Sequence, residues 1–220
     1  MPKTAAFFDV DGTLYNGVIS ADFLRYMVKN SKLKISDIVK ITKFLYYFII
    51  DKFGIINRTE VNLRIYRNIA GWDASAINGF AQEFYNKIAR KKFYSGGIRL
   101  LNSHLRKGHV VVAVTSGLKN IVTPLRKGLK LEYIIGTEVE LENGKFSDRI
   151  RILPIGKNRA EIISRYCKSN GIGLERSFAY SDHNSDIFML QTVGNPVAVN
   201  PDKKLEKYAK EKRWKIIRFK

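Results

Sequence analysis

Two rhythms alternate along the chain. Residues 4–8, 109–114, 177–180 and 196–199 are short runs in which apolar residues follow one another without polar alternation. Such runs suit strands covered on both faces, as in a parallel sheet. Between them, apolar residues recur at helical spacing: Ile98, Leu101 and Leu105; then Ile162, Ile163, Tyr166 and Cys167; then Leu205, Tyr208 and Ala209. Asn170-Gly171 supplies a helix stop after the second of these. Strand alternating with helix predicts an α/β fold with a doubly wound, mostly parallel, Rossmann-like sheet.

Two segments break this rhythm. Residues 139–147 alternate polar and apolar positions around Asn143-Gly144, which predicts a small β-hairpin. Residues 16–94 contain no strand-like run and show helical spacing throughout: Phe23 and Met27; Ile35, Ile38 and Val39; Leu63, Tyr66 and Ile69; Ile77, Phe80, Phe84 and Ile88. They read as a helical insertion between the first strand and the rest of the sheet.

Composition adds three constraints. The 220 residues are 45% hydrophobic and 12% aromatic, enough for a packed core and unlike a disordered chain. Cys167 is the one cysteine, so no intrachain disulfide forms and a reducing, cytoplasmic setting is expected. The apolar run before Asp9 is too short for a secretory signal, and the most apolar segment, 41–50, falls short of the roughly 20 residues a membrane span needs. The net charge of +19 points to an anionic partner: nucleic acid, a phospholipid surface or phosphorylated metabolites. A lysine-rich, merely solvated surface is the plainer explanation of the same number.

Candidate chemistry gathers at or near the C-terminal ends of the predicted strands, the edge at which open α/β sheets bind ligands. Asp9 and Asp11 stand one residue apart after the first run, on the same side of an extended segment. Two close carboxylates invite a cation between them, and Mg²⁺ suits a site with few carboxylates and several waters. Thr115-Ser116-Gly117 follows the second run, where a hydroxyl and free backbone N–H groups could hold a phosphoryl oxygen. Lys157 lies ahead of a helix, and Asp182 and Asp186 follow the run 177–180. Taken singly, each is as readily a turn, a helix cap or a solvated charge.

Taken together and in this order, Asp9-Val10-Asp11-Gly12-Thr13, Thr115, Lys157 and Ser181-Asp182-His183-Asn184-Ser185-Asp186 resemble the four motifs of the haloacid dehalogenase-like hydrolase superfamily. The branch they most resemble is subfamily IB, related to phosphoserine phosphatase. The stretches 194–202 and 209–214 resemble that branch as well. Ser181 and His183 depart from it, standing where a glycine and a serine are usual.

The resemblance implies a Mg²⁺-dependent phosphomonoester hydrolase working through an aspartyl-phosphate. Asp9 is then the nucleophile and Asp11 the proton carrier. Thr115 and Lys157, with Ser116 and Gly117, hold the phosphoryl group, and Asp9, Asp11, Asp182 and Asp186 form the metal site. It also implies a catalytic core of residues 1–15 and 95–220 and a helical cap of residues 16–94 that chooses the leaving group. Residues 14–20 contain no acidic side chain of the kind that holds the amine of phosphoserine in that branch, which leaves a small phosphorylated metabolite or a lipid-like phosphate as the expected substrate. The basic, apolar stretch around 40–52 reads as cap core, with a peripheral membrane contact as its alternative. Arg64 and Arg67 are cap cations that could face the substrate or simply solvent. A basic nucleic-acid-binding protein on the same scaffold is the rival reading, favoured by the charge and by the lysines from 203 onward.

Overall fold

A computed structural model describes residues 2–30, 35–53 and 55–219. Among these, a seven-stranded sheet runs in the order β4-β3-β2-β1-β5-β6-β7. Its members are β1 (Ala5–Asp9), β2 (Val110–Leu118), β3 (Tyr133–Glu142), β4 (Lys145–Ile152), β5 (Phe178–Ser181), β6 (Asn195–Val199) and β7 (Lys215–Ile217). Every pairing is parallel except β3 with β4. The strand β1 is central and wholly buried, as its unbroken apolar run requires. Ala6 and Phe8 face one side of the sheet with Val111, Ala113 and Tyr180. Ala5 and Phe7 face the other with Val112, Val114 and Ala179.

The helices are α1 (Ile19–Asn30), α2 (Ile35–Phe53), α3 (Arg58–Asn68), α4 (Ala74–Lys87), α5 (Ser95–Arg106), α6 (Lys119–Val122), α7 (Pro124–Gly128), α8 (Gly156–Asn170), α9 (Ile187–Gln191) and α10 (Lys203–Glu211). The second face of the sheet is closed by Ile163 and Cys167 of α8, Met189 and Leu190 of α9, and Leu205 and Ala209 of α10. Gly171 ends α8 in the left-handed region at φ 66°, the helix stop that Asn170-Gly171 predicted. The hairpin β3–β4 turns on Asn143 (φ 50°) and Gly144 (φ 78°), both positive as a two-residue hairpin loop demands.

The insertion between β1 and β2 is helical, and Phe23 of α1 meets Phe84 of α4 edge to face at its centre, 5.7 Å between rings. It is tied down in two places. At its root, Asn16 N–H donates to Lys92 O and Tyr94 N–H donates to Leu14 O. On the far side, residues 71–74 pair with the hairpin through Gly71 N–H to Phe146 O and Phe146 N–H to Trp72 O. The apolar helix α2 divides its residues: Ile41 and Ile50 are buried, while Leu45, Tyr46 and Ile49 remain more than half exposed. Ile38 and Val39, whose spacing suggested an inward face, point outward as well. The side chains of Ile35, Phe48 and Lys52 lie outside the described residues. Among the described residues no helix is long and apolar enough to cross a membrane.

One structural difference from the sequence reading concerns β2. It was expected to end at Val114 and open a loop, yet it continues through Thr115, Ser116 and Gly117 to Leu118, with its register to β3 shifting between Val114 and Leu118. The irregularity lets the strand run on while lifting Thr115–Gly117 out of regular pairing.

Under the sheet's first face, the buried ring of His104 sits among Phe8, Phe178 and Tyr180. Its Nε2 lies 2.7 Å from the Tyr180 hydroxyl and its Nδ1 2.8 Å from His109 Nδ1. Burial, with the like charges of His109 and Lys107, pushes its pKa down to about 4 from the ordinary 6.5. The unfolded chain therefore takes up this proton first on acidification. The stability that depends on it is complete above pH 6.5 and is lost as the pH falls towards 4. Urea midpoints measured at pH 7 and pH 5 should differ less in His104→Asn than in the wild type.

Candidate active site

Strand register brings the candidate residues together. Asp9 is the last residue of β1 and pairs with Val114, so Thr115 emerges beside it. On the other side Phe8 pairs with Tyr180, so Ser181 and Asp182 emerge next to the same carboxylate. These ends flank the switch point of the strand order, where β2 and β3 lie on one side of β1 and β5 and β6 on the other, which leaves a crevice. In it lies a pocket of about 290 Å³ lined by Asp9, Asp11, Thr115, Arg159, Asp182 and Asp186, among others.

Asp9 is 6% exposed. Its Oδ1 accepts from Arg159 Nη1 at 3.1 Å, and the same Nη1 pairs with Asp186 Oδ1 at 2.7 Å. Asp11 Oδ1 accepts from the Ile19 N–H at the start of α1, 2.7 Å away. Val10 between them is buried in the apolar core, so the two carboxylates share the pocket while the intervening side chain anchors the turn. Gly12 has φ +75°, and a Cβ there would lie 2.0 Å from Asp182 Oδ2. No other residue type satisfies both the backbone and that approach.

Thr115 is buried, and its Oγ1 accepts from the Gly117 N–H at 2.9 Å. Ser116 lines the pocket and turns its carbonyl away, to accept from Thr137 Oγ1 at 2.7 Å and from the Tyr66 hydroxyl of α3. Gly117 lies just beyond, in a neighbouring cavity.

Lys157 does not join the cluster. It is exposed, with Nζ 5.6 Å above the Phe188 ring, and the cation among the carboxylates is Arg159, 4% exposed. The reason is helix register. Ile163 and Cys167 mark the buried stripe of α8, and Arg159 precedes Ile163 by four residues, whereas Lys157 precedes it by six. That stripe was visible in the sequence and is the signal that identifies Arg159. The cap cation is displaced in the same way. Arg64 and Arg67 are exposed, and Arg64 pairs with Glu60 at 2.8 Å. Arg58 instead reaches the site, its Nη1 2.9 Å from His183 Nδ1 and 3.4 Å from Ser185 Oγ. Arg58, Asn62, Ile65, Tyr66 and Ile69 follow one another at helical spacing, so the face was legible even though its polar leader was passed over.

The two unusual residues of the fourth motif both have partners. Ser181 Oγ donates to Asp186 Oδ2 at 2.6 Å, fixing the carboxylate that faces Arg159. His183 meets the cap through Arg58 and accepts at Nδ1 from the Ser185 N–H at 3.1 Å. Asp202 supports the loop from behind, donating its N–H to Asp182 O and accepting the Asn184 N–H.

Four carboxylates therefore crowd a site with two arginines. Burial, then repulsion by Asp186, holds Asp9 well above the usual carboxylate range, against the pull of Arg159. Burial is also the main cause for Asp182, pushed up to about 7, and for Asp11, pushed up to about 6 against the Ile19 hydrogen bond and Arg58. Burial works against the charge of Arg159, but Asp186 and Asp9 outweigh it. Among the described residues no three acidic, histidine or cysteine side chains close tightly around a point. A cation held by one or two carboxylates, a backbone carbonyl and waters fits this oxygen-rich and negatively charged pocket, and Mg²⁺ is such a cation.

Arg159→Met leaves Asp9 and Asp186 without their shared cation and should cost about 3–5 kcal/mol in urea unfolding at pH 7. Lys157→Met should stay within about 0.5 kcal/mol in the same measurement.

Comparison with known proteins identifies the family. Residues 6–191 match the family described as haloacid dehalogenase-like hydrolase. A phosphoserine phosphatase of Mycobacterium tuberculosis is 30% identical over 98% of this chain and 70% of its own. A probable phosphatase of the same organism is 26% identical over 99% of this chain and 76% of its own. A crystal structure of a protein of unknown function from Bordetella pertussis superposes with a TM-score of 0.86 over 99% of both chains at 18% identity, a likeness of fold. The chain belongs to the haloacid dehalogenase-like hydrolase family, in the phosphoserine phosphatase-like branch of its phosphatases.

Proposed function

We propose that the protein is a Mg²⁺-dependent phosphomonoester hydrolase that works through an aspartyl-phosphate on a small phosphorylated metabolite or a lipid-like phosphate. The observation that carries this reading is the meeting of Asp9, Asp11 and Arg159 in one pocket at the end of the central strand. Residues 1–15 and 95–220 would form the catalytic core, and residues 16–94 the cap.

In this reading the Asp9 carboxylate attacks phosphorus and displaces the alcohol, with Asp11 protonating the departing oxygen. A carboxyl whose pKa lies near 6, as burial sets it for Asp11, can hold that proton at neutral pH better than an ordinary aspartate. Asp11 then takes a proton from the water that attacks the aspartyl-phosphate, which releases phosphate and regenerates Asp9. The Thr115 hydroxyl and the Arg159 guanidinium, in the role first given to Lys157, face the phosphoryl oxygens. Ser116 and Gly117 would contribute to the same cradle. Mg²⁺ would be held by Asp9, Asp182 and the Asp11 carbonyl, with Asp186 in support, and would offset the charge of nucleophile and phosphate.

Phosphoserine itself is the weaker choice of substrate. The first acidic residue after the Asp9–Thr13 motif is Asp22, and it is already engaged by the Tyr15 hydroxyl, Arg25 and Lys92. The half-exposed Leu45, Tyr46 and Ile49 of α2 support a peripheral membrane contact. The α10 lysines 203, 204, 207 and 210 stand at exposed positions opposite buried Leu205 and Ala209, the arrangement of an ordinary surface helix rather than of a nucleic-acid groove.

Asp9→Asn should abolish hydrolysis of p-nitrophenyl phosphate while its far-ultraviolet circular dichroism matches the wild type; near wild-type turnover would remove Asp9 as nucleophile. Chelation with EDTA should stop the wild-type reaction, and added Mg²⁺ should restore it.

A further inference from the structure

The polar pocket is one end of a larger space. A cavity of about 720 Å³ lies beneath the cap and shares Asp11, Val18, Arg58, Ser116, His183 and Ser185 with the smaller pocket. Beyond those residues its wall is mainly apolar: Phe23 of α1, Phe44 of α2, Ile65 of α3 and Ile69 just after it, and Trp72 and Ile77 before and within α4, interrupted by Ser20, Asn62, Tyr66, Asn184 and Lys204. The charged residues lining it are Asp11, Arg58 and Lys204. The first two belong to the polar pocket, and Lys204 follows Asp202, whose carboxylate holds the Asn184 N–H.

The polar groups along the wall direct their donors elsewhere. The Tyr66 hydroxyl donates to Ser116 O, Asn62 Nδ2 to Arg58 O, and Trp72 Nε1 to Asp37 Oδ1. A polar group on the part of the leaving group that lies against Phe23, Ile69 and Ile77 would meet apolar side chains there, which is costly. Packed interiors rarely leave voids much larger than a water molecule. A space of this volume, mainly apolar with a few polar groups, has instead the size and make-up of a ligand site.

Building on the phosphatase reading above, we propose that this chamber receives the leaving group and selects phosphomonoesters of apolar alcohols. The substrate is an amphiphile: its phosphate lies in the polar pocket beside Asp9 and Arg159, and its aliphatic or aromatic body passes Arg58 and fills the space between α1, α3 and α4. The chemistry is the same whether the ester is dissolved or held in a bilayer.

The test is hydrolysis of n-alkyl phosphates from methyl to decyl, each below its aggregation concentration, with Mg²⁺. The value of kcat/KM should rise about three- to fourfold per methylene until the chamber is filled. A flat or falling profile overturns the proposal. In Ile69→Asn and in Phe44→Asp the decyl-to-methyl ratio should fall about tenfold or more. Because the ratio is taken within each variant, a reduced folded fraction does not affect it, and unchanged ratios in both variants overturn the proposal. If no ester is hydrolysed, methyl phosphate included, the phosphatase reading fails instead. Calorimetric binding of the same esters then decides the chamber: affinity that grows with chain length supports it, and affinity without such growth overturns it. Decyl phosphate dissolved, in phosphatidylcholine vesicles and in vesicles with added anionic lipid separates the sources. Faster turnover on vesicles assigns a bilayer-held ester, and faster turnover in solution assigns a soluble one.

Discussion

Arg159 holds a full charge in the interior of this protein, shared between Asp9 and Asp186. Without it, the end of β1 would gather carboxylates from two segments of the chain, 9–11 and 182–186, with Arg58, which arrives from the cap, as the remaining cation lining the pocket. Ion pairs of this kind contribute little to stability, because desolvation offsets most of their attraction, yet they are costly to break. Their effect is to fix geometry. The guanidinium ties α8 to the central strand and to the loop after β5, and Ser181 clamps the far oxygen of Asp186. The backbone at Gly12 is then drawn so close to Asp182 that a single methyl group would not fit. What remains is a small pocket with a surplus of negative charge.

The cap adds the opposite chemistry. Its helices bring one arginine to the site, Arg58, and offer a wall in which phenylalanine, isoleucine and tryptophan side chains predominate over the polar Ser20, Asn62 and Tyr66. The division follows from the backbone. Strand ends in an open sheet present loops whose polar groups converge, while helices packed into a lid present the stripes left over from their own packing. The lid is held at its root by the pairing around Tyr15 and Phe93, and across the crevice by the hairpin against residues 71–74. The hairpin predicted around Asn143-Gly144 is therefore part of what positions the cap.

Much of this was legible in the sequence because it depends on local rules. Unbroken apolar runs at 4–8 and 109–114 suited buried parallel strands, Asn143-Gly144 suited a tight hairpin turn, and Asn170-Gly171 closed a helix where it was expected to. The carboxylates at 9, 11, 182 and 186 stood out because they follow strand ends in an order that resembles the motifs of a known family, although each alone was ambiguous. The sequence by itself determined the sheet, the helical insertion and the acidic half of the site. The tertiary structure decided which cations answer it. Lys157 and Arg159 are two residues apart at the start of one helix, and only packing of the Ile163–Cys167 stripe against the sheet rotates the second inward. Arg58 likewise outranks Arg64 and Arg67 because α3 lays that face, and not its neighbours, over the pocket. Composition gives charge without direction; a side chain's direction is set by which face of its helix is buried, and that is settled by contacts between residues far apart in the chain.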